Sequence, residues 1–265
     1  MPLATAMVDF QNTIPRKVYP SVIVREALKQ VVPALNFLHT DAHVIHADFH
    51  PGNLLIGFQH PEECLAQVED AELQSPGPRK VTKDRTIYTS RAIFGNIGPL
   101  YLCDFGHAKI GKDGSGNAMP VAFRAPEIIL GMPWSYPIDM WGVGLSTWDM
   151  FQVKKLFKVY DTRDQQLNDA HHLASMIALL GPPPLAYLKR SSKYLEFWTE
   201  HGDWRGIAPI PEGRTVETLL TPHQEHDDER ARFLEFVRAL LRWVPEERLT
   251  AEQALSHPWL TTAYK

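Results

Sequence analysis

The chain has 265 residues, of which 44% are hydrophobic and 22% charged, and its formal net charge at pH 7 is −4. This length predicts one large domain or two small ones, and the negative charge argues against direct binding of nucleic acid. No apolar run is long enough to cross a bilayer, and no basic start precedes an apolar core, so we expect neither a membrane span nor a signal peptide. The two cysteines, Cys64 and Cys103, lie in dissimilar settings. We therefore expect an intracellular protein, in the cytoplasm or nucleus, without a disulfide.

A short segment interrupted by prolines, residues 1–20, precedes the first strong helical pattern. That helix is predicted from Ser21, as the N-cap, to His39, because apolar residues recur at helical spacing. Pro33 lies inside it and removes a backbone hydrogen bond. We expect a kink there and one face of the helix in the core.

A polar loop, residues 46–53, follows between two apolar runs, which predicts strand, loop and strand. It places Asp48 five residues before Asn53. Downstream, another apolar run ends in Asp104, and a glycine that permits a turn follows soon after. Carboxylate and amide oxygens suit Mg²⁺ beside phosphates, although each of these residues alone is also a common turn former.

A long connector, Gly57 to Leu100, separates the two apolar runs that border these acids. It predicts a short helix at residues 61–73 and a hairpin that turns at residues 83–85. Irregular connections of this length are unusual inside a compact domain. We interpret residues 57–100, called the insertion below, as a surface insertion.

Helical patterns dominate the remaining chain. Residues 138–151 are apolar nearly all round, which predicts a buried helix whose acids, Asp139 and Asp149, need partners. Further helices are predicted at residues 171–180, 185–201 and 227–243, and after the N-cap Thr250. The expected fold class is mainly α (α+β), helical with small β hairpins.

Five motifs in order resemble the C-terminal lobe of eukaryotic protein kinases. They are His46-Ala47-Asp48 with Asn53, Asp104-Phe105-Gly106, Ala125-Pro126-Glu127, Asp139-Met140-Trp141-Gly142-Val143-Gly144, and Glu247-Arg248-Leu249-Thr250. The insertion, Phe123-Arg124, and the segment that includes His171-His172-Leu173 look most like fungal relatives of the SR-protein kinases. The resemblance covers essentially all 265 residues.

The resemblance implies a serine/threonine kinase lobe that uses ATP and Mg²⁺. Asp48 would orient the substrate hydroxyl and accept its proton, with His50 beside the transferred phosphate. Asn53 and Asp104 would hold Mg²⁺ and the nucleotide phosphates. Leu55 would pack under the adenine ring, although a plain core leucine fits the sequence equally well. The implied partner is a protein substrate, and the SR-kinase likeness suggests one rich in Arg and Ser.

The same resemblance assigns structural contacts. His46 and Phe105 would stack, and Asp139 would hold the loop through backbone N–H groups. Glu127 and Arg248 would form a buried, bidentate ion pair, because each lies in an apolar neighbourhood and the Arg fork matches a carboxylate.

Some residues depart from the family pattern. Ala47 replaces the usual arginine, and Ser115 is the only hydroxyl between residues 104 and 124, so control by loop phosphorylation is not expected. His50 stands where a lysine is usual, and a neutral imidazole is a weaker electrostatic clamp. Residues 1–20 contain no Gly-rich loop. We therefore expect the N-terminal lobe to be absent and residues 1–265 alone to lack normal activity.

Two other functions compete with this interpretation. One is a pseudokinase-like scaffold that binds partners through its helical surface. The other is a small-molecule phosphotransferase, because residues 46–53 also resemble the loop of aminoglycoside- and ubiquinone-related kinase-like enzymes. The later motifs belong to protein kinases and argue against the small-molecule enzyme. The retained Asp48, Asn53 and Asp104 argue against the scaffold, whereas His50 and the expected absence of the N-terminal lobe favour it.

Overall fold

The structure is a computed structural model that describes residues 3–89, 97–221 and 227–262. The strands are β1 (Leu3–Ala6), β2 (Val44–Ile45), β3 (Leu54–Phe58), β4 (Arg79–Val81), β5 (Thr86–Tyr88), β6 (Ile97–Leu102) and β7 (Lys109–Ile110). The helices are α1 (Met7–Thr13), α2 (Ser21–Thr40), α3 (Pro61–Gln74), α4 (Pro126–Ile129), α5 (Pro137–Phe151), α6 (Gln165–Leu180), α7 (Leu185–Leu188), α8 (Tyr194–Phe197), α9 (Val216–Leu219), α10 (Asp227–Leu240), α11 (Ala251–Leu255) and α12 (Pro258–Thr261). The expected class, mainly helical with small sheets, is confirmed.

Helix α5 lies at the centre of the core, as its apolar sequence predicts. Trp141 and Trp148 are fully buried, and α2 and α10 pack against the helix. Burying one such large side chain stabilises a fold by roughly 1.5–3 kcal/mol. A helix with no polar face therefore becomes the element on which its neighbours assemble.

Helix α2 confirms the predicted apolar stripe but not the predicted cap. Pro20 is the N-cap and Ser21 is already helical. Pro33 lies within one continuous helix, with Val32 and Leu35 fully buried on either side of it. Tertiary burial of this face outweighs the lost hydrogen bond. None of the described helices is both long and apolar enough to span a membrane.

The strands within the described residues form one three-stranded sheet and two two-stranded pairs. The sheet has the order β1-β3-β6, and β2 pairs with β7 and β4 with β5. Strand β1 was not predicted, because four residues gain their strand character only by pairing with β3. The predicted strand, loop and strand around residues 46–53 are confirmed as β2, a 3₁₀ turn and β3.

The insertion leaves β3 and returns as β6, whose residues pair in antiparallel register. Its predicted helix and hairpin are confirmed as α3 and the β4–β5 pair. Residues 90–96 of the predicted insertion lie outside the described residues. Its predicted ends, residues 57–58 and 97–100, belong to β3 and β6.

Two helix predictions in the C-terminal part were wrong in extent. Helix α6 begins at Gln165, six residues earlier than expected, because the Asp164 side chain caps it by accepting from the Leu167 N–H. The single helix predicted at residues 185–201 is instead two short helices, α7 and α8. Between them the Ser191 hydroxyl donates to the Leu130 carbonyl at 2.6 Å, and this tertiary bond favours a turn.

Candidate active site

The loop of residues 46–53 is seated on α5 by one buried carboxylate. Asp139 accepts hydrogen bonds from the backbone N–H groups of His46 and Ala47, each at 2.8 Å. Its Oδ2 also lies 2.8 Å from Nε2 of His39, at the end of α2. The predicted anchoring role of Asp139 is confirmed, and these partners explain how a fully buried acid is tolerated.

The backbone of the loop is strained where it is anchored. Ala47 has a φ of +63°, in the left-handed region that residues with a Cβ rarely adopt. On the facing helix, a Cβ at Gly142 would lie 2.7 Å from the Phe49 carbonyl oxygen, so only glycine permits this approach. The bonds to Asp139 hold a conformation that the isolated loop would not keep.

Asp48 and Asn53 are brought together, as the spacing predicted. Asn53 Nδ2 donates to the Asp48 carbonyl at 2.9 Å and to its Oδ2 at 3.0 Å. Both residues are 8% exposed. The amide therefore fixes the carboxylate, while Asn53 Oδ1 keeps no hydrogen-bond partner among the described residues.

His46 links this loop to the strand that carries the second acid. Its Nε2 lies 3.1 Å from the Cys103 carbonyl, which can only accept, so Nε2 carries the proton. Nδ1 then accepts from the Asp48 N–H at 3.3 Å. The ring also contacts Phe105 at a centroid distance of 5.0 Å, so the predicted partner is confirmed, but the two rings meet edge to face rather than stacked.

Asp104 lies at the end of this link and is exposed. It has a φ of +64°, and its Oδ1 accepts from the Gly106 N–H at 3.1 Å. The Cys103 N–H donates to the Asn53 carbonyl at 2.9 Å, which sets Asp104 beside the loop. The structure thus places Asp48, Asn53 and Asp104 in one region.

These oxygens fit the way proteins hold Mg²⁺. The described residues contain no group of three or more His, Cys, Asp and Glu side chains suited to a metal. Mg²⁺ beside nucleotides is usually held by one or two carboxylates together with phosphates and water. The free oxygen of Asn53 and the exposed carboxylate of Asp104 match that partial ligand set.

His50 has a structural contact that sequence reasoning did not anticipate. Its Nδ1 accepts from the Gly52 N–H at 3.0 Å, so the neutral ring carries its proton on Nε2, 3.6 Å from Asp48 Oδ1. Burial lowers the pKa of His50, and the carboxylates of Asp48 and Asp104 act in the opposite direction. The imidazole is therefore a neutral neighbour of Asp48.

Leu55 lies on β3, where it pairs with Ala6 of β1 and Tyr101 of β6. It is half-buried, unlike the fully buried Leu54 before it. Phe105 is 48% exposed. The site therefore has an apolar border that remains open to solvent.

The predicted pair of Glu127 and Arg248 is confirmed as buried and bidentate. The two guanidinium nitrogens donate to the two carboxylate oxygens at 2.6 and 2.7 Å. The Arg248 Nε donates to the Arg242 carbonyl, and the guanidinium lies over the Trp141 ring. The pair fastens α4, at the end of the segment after Asp104, to the C-terminal helices.

His39 is the contributor that sequence reasoning missed. It was predicted only as the end of a helix, and its partner Asp139 is 100 residues away in the chain. The sequence feature that could have indicated this role is a histidine in the last turn of the helix that precedes the polar loop of residues 46–53.

A helical body with an acid–amide loop and a second acid beside it is the arrangement of kinase-like phosphotransferases. The family model for the protein kinase domain matches residues 4–260. The chain belongs to the protein kinase family.

Its curated relatives are named protein kinases. A serine/threonine protein kinase of Aspergillus fumigatus, AFUB_078980, is 36% identical over 98% of this chain and 63% of its own length. The serine/threonine-protein kinase AFC2 of Arabidopsis thaliana is 27% identical over 97% of this chain and 57% of its own length. The dual specificity protein kinase CLK4 of Homo sapiens is 26% identical, and the match covers 44% of it.

A solved structure supports the fold. The crystal structure of the PF14_0431 kinase domain matches with a TM-score of 0.71 and 19% identity, over 98% of this chain and 71% of that one. Because the kinase model matches nearly the whole chain, the comparisons do not support the expectation that a lobe of the family's domain is absent.

Proposed function

We propose that the chain supplies the catalytic side of a serine/threonine protein kinase, which transfers a phosphoryl group from ATP to a protein hydroxyl with Mg²⁺. The observation that carries this proposal is the held carboxylate of Asp48. Asn53 fixes its Oδ2, while Asp139 fixes the loop backbone. A carboxylate in such a position can orient a substrate hydroxyl and accept its proton.

Positioning accounts for most of what these residues contribute. Phosphoryl transfer requires little covalent chemistry from the protein, so alignment and electrostatic stabilisation dominate. Asp48 would align the substrate hydroxyl. His50, neutral and hydrogen-bonded through Gly52, would border the transferred phosphate as a weak electrostatic clamp.

The nucleotide would lie between Leu55 and the two metal-binding residues. Asn53 Oδ1 and the Asp104 carboxylate would hold Mg²⁺, and Leu55 would cover one face of the adenine. Bound Mg²⁺ would neutralise charge on the phosphates. The half-buried position of Leu55 and the exposure of Phe105 support an adenine site on this border.

We further propose that residues 1–265 form the C-terminal lobe, with residues 57–100 as an insertion in it. The described elements before α2 are one strand and one short helix, and no glycine occurs before Gly52. Residues 1–51 therefore contain no Gly-rich loop. On this proposal, residues 1–265 alone bind Mg·ATP weakly and transfer phosphate slowly.

A substrate rich in Arg and Ser is supported by the net charge of −4, which favours a cationic partner. Free Cys64 and Cys103 agree with an intracellular setting.

The test is a phosphoryl-transfer assay with Mg·ATP on the full natural protein. The phosphoryl acceptors are an Arg/Ser-rich peptide, the same peptide with Ala in place of Ser, and an aminoglycoside. We expect transfer only to the first, and its loss in Asp48→Asn. Asp9→Asn, an exposed acid on α1, is the matched control.

Transfer to the aminoglycoside alone, or equal activity of the Asp48→Asn variant, would refute the proposal. The exposed apolar border also favours a second candidate, a pseudokinase-like scaffold. Partner binding with no transfer by the full protein would support that function instead.

A further inference from the structure

The β4–β5 hairpin, residues 79–88, is called the ribbon here, and its apolar side chains face solvent. Val81 is 72% exposed, Tyr88 64% and Ile87 45%. A sheet in a folded domain normally buries one face. Clustered apolar exposure on a defined element marks an interaction site more often than isolated exposed residues do.

The ladder register places cations beside these apolar groups. Arg79 lies opposite Tyr88 and Val81 opposite Thr86, so these four share one face. Lys80 lies opposite Ile87 on the other face. Each face of the ribbon therefore presents a cation next to an apolar side chain.

The ribbon also carries charge of the opposite sign to the whole chain. It contains Arg79, Lys80, Lys83 and Arg85 but one acid, Asp84, whereas the chain's net charge is −4. No ion pair joins any of these four cations to another described residue. Their charge is therefore available to the acids of another molecule.

The backbone of β4 is open on one side. Within the described ranges, β4 pairs with β5 and with no other strand. A lone two-stranded hairpin is at best marginally stable in water. Its unpaired N–H and C=O groups can accept another strand.

We propose that the ribbon is a docking site for an extended, acidic segment of a partner protein, which adds as a strand beside β4. The open edge would supply main-chain hydrogen bonds, and alternate side chains would be read on the two faces. Acids of the segment would meet Arg79 and Lys80, while its apolar side chains would cover Val81 and Tyr88. The site lies in the insertion and does not depend on the proposed phosphoryl transfer.

A ribbon with both basic and apolar side chains could have two roles other than the proposed one, and each predicts a different binding result. Cations on an edge strand can simply prevent aggregation, in which case no strand would bind. Basic residues beside an aromatic ring can also bind single-stranded nucleic acid, in which case RNA would compete equally well.

The experiment measures fluorescence anisotropy with the full chain and a labelled Glu/Val peptide of the repeat Glu-Glu-Val-Val, so that each face of the added strand carries both acids and apolar side chains. A Lys/Val peptide and a single-stranded RNA serve as comparison probes. We expect the Glu/Val peptide to bind more tightly than either probe, and binding to weaken with salt. Arg79→Glu with Lys80→Glu should weaken it at least about tenfold, because edge charge then repels the segment.

The matched control is Lys189→Glu with Arg230→Glu, which reverses two exposed cations elsewhere. Val81→Ser keeps the charge and tests the apolar contact, and it should also weaken binding. Circular dichroism checks that each variant is folded. The proposal is overturned if the Glu/Val peptide does not bind, if both double variants weaken it equally, or if RNA binds as tightly.

Discussion

The loop of residues 46–53 and the insertion of residues 57–100 are close in sequence but are held in different ways. The loop is fixed by buried bonds to residues far along the chain, such as Asp139 to His46, 93 positions apart. In α3, which spans Pro61–Gln74, Cys64 is the buried residue, and the strands of the ribbon are largely exposed. Long-range polar contacts thus position the side chains of the loop, while the insertion is stabilised mainly by local contacts and leaves its surface exposed.

This difference has an energetic side. A buried polar group that loses its partner retains its full desolvation cost, whereas an exposed group recovers its bonds from water. Substitutions in the two regions should therefore differ in size even when the chemical change is the same.

The largest expected effect is at the ion pair that fastens the segment after Asp104. Arg248→Ala strands the buried Glu127, whose side chain is 1% exposed, and should cost roughly 3–5 kcal/mol. Urea unfolding measures it. Replacing Glu127 by Leu and Arg248 by Met together should cost far less, and an unchanged midpoint for Arg248→Ala alone would show that the pair does not stabilise the fold.

A histidine-to-phenylalanine change beside the anchor of the loop and another in the insertion give a direct comparison. His39→Phe keeps the ring that stacks on Tyr136 at 4.7 Å but removes one bond to Asp139, so we expect a loss of about 1–3 kcal/mol. His60→Phe, at an exposed position before α3, should stay within about 0.5 kcal/mol. Equal shifts of the two unfolding curves would show that the buried and the exposed histidine contribute equally to stability.

The buried His172 should make the stability of the fold depend on pH. Burial, with Arg124 nearby, lowers the pKa of His172 to about 3, and neither ring nitrogen has a partner in the described chain. Between pH ~6.5 and ~3, His172 takes up a proton only in the unfolded state. The free energy of unfolding should therefore decrease as the pH is lowered through this range, by about 1.4 kcal/mol per pH unit at most. The free energy of unfolding of His172→Leu, measured over the same range, should fall less steeply. Parallel profiles would argue against this.

The smallest effect is expected in the ribbon. Lys80→Thr or Tyr88→Thr should change stability by less than about 0.5 kcal/mol, because both side chains are exposed. Thermal unfolding of each variant measures this. A loss of several degrees in Tm would mean that the ribbon contributes to the core.

Sequence reasoning succeeded where residue types restrict the answer. The acid–amide spacing and the apolar helix α5 each have few ways to be satisfied, and the family resemblance pairs Glu127 with Arg248. It failed where distant partners decide. Strand β1 depends on β3, and the break after α7 depends on a bond to Leu130, 61 residues earlier.

Backbone conformation was also beyond sequence reasoning. Nothing in Ala47 or Asp104 marks a positive φ, since each residue takes it only because the neighbouring contacts hold it there. The role of His39 was missed for a related reason, because its partner becomes visible only once α2 and α5 are packed.

The distance in sequence between Asp139 and the loop that it anchors has a consequence during synthesis of the chain. The loop leaves the ribosome 93 residues before its anchor does, a delay of about 5–20 s at ordinary elongation rates. Throughout that interval Asp139 is not available to stabilise the left-handed conformation of Ala47, so the loop of the nascent chain cannot keep Asp48 in place. Maturation of the site therefore waits for translation of α5, and Glu127 waits for Arg248, which follows it by 121 residues.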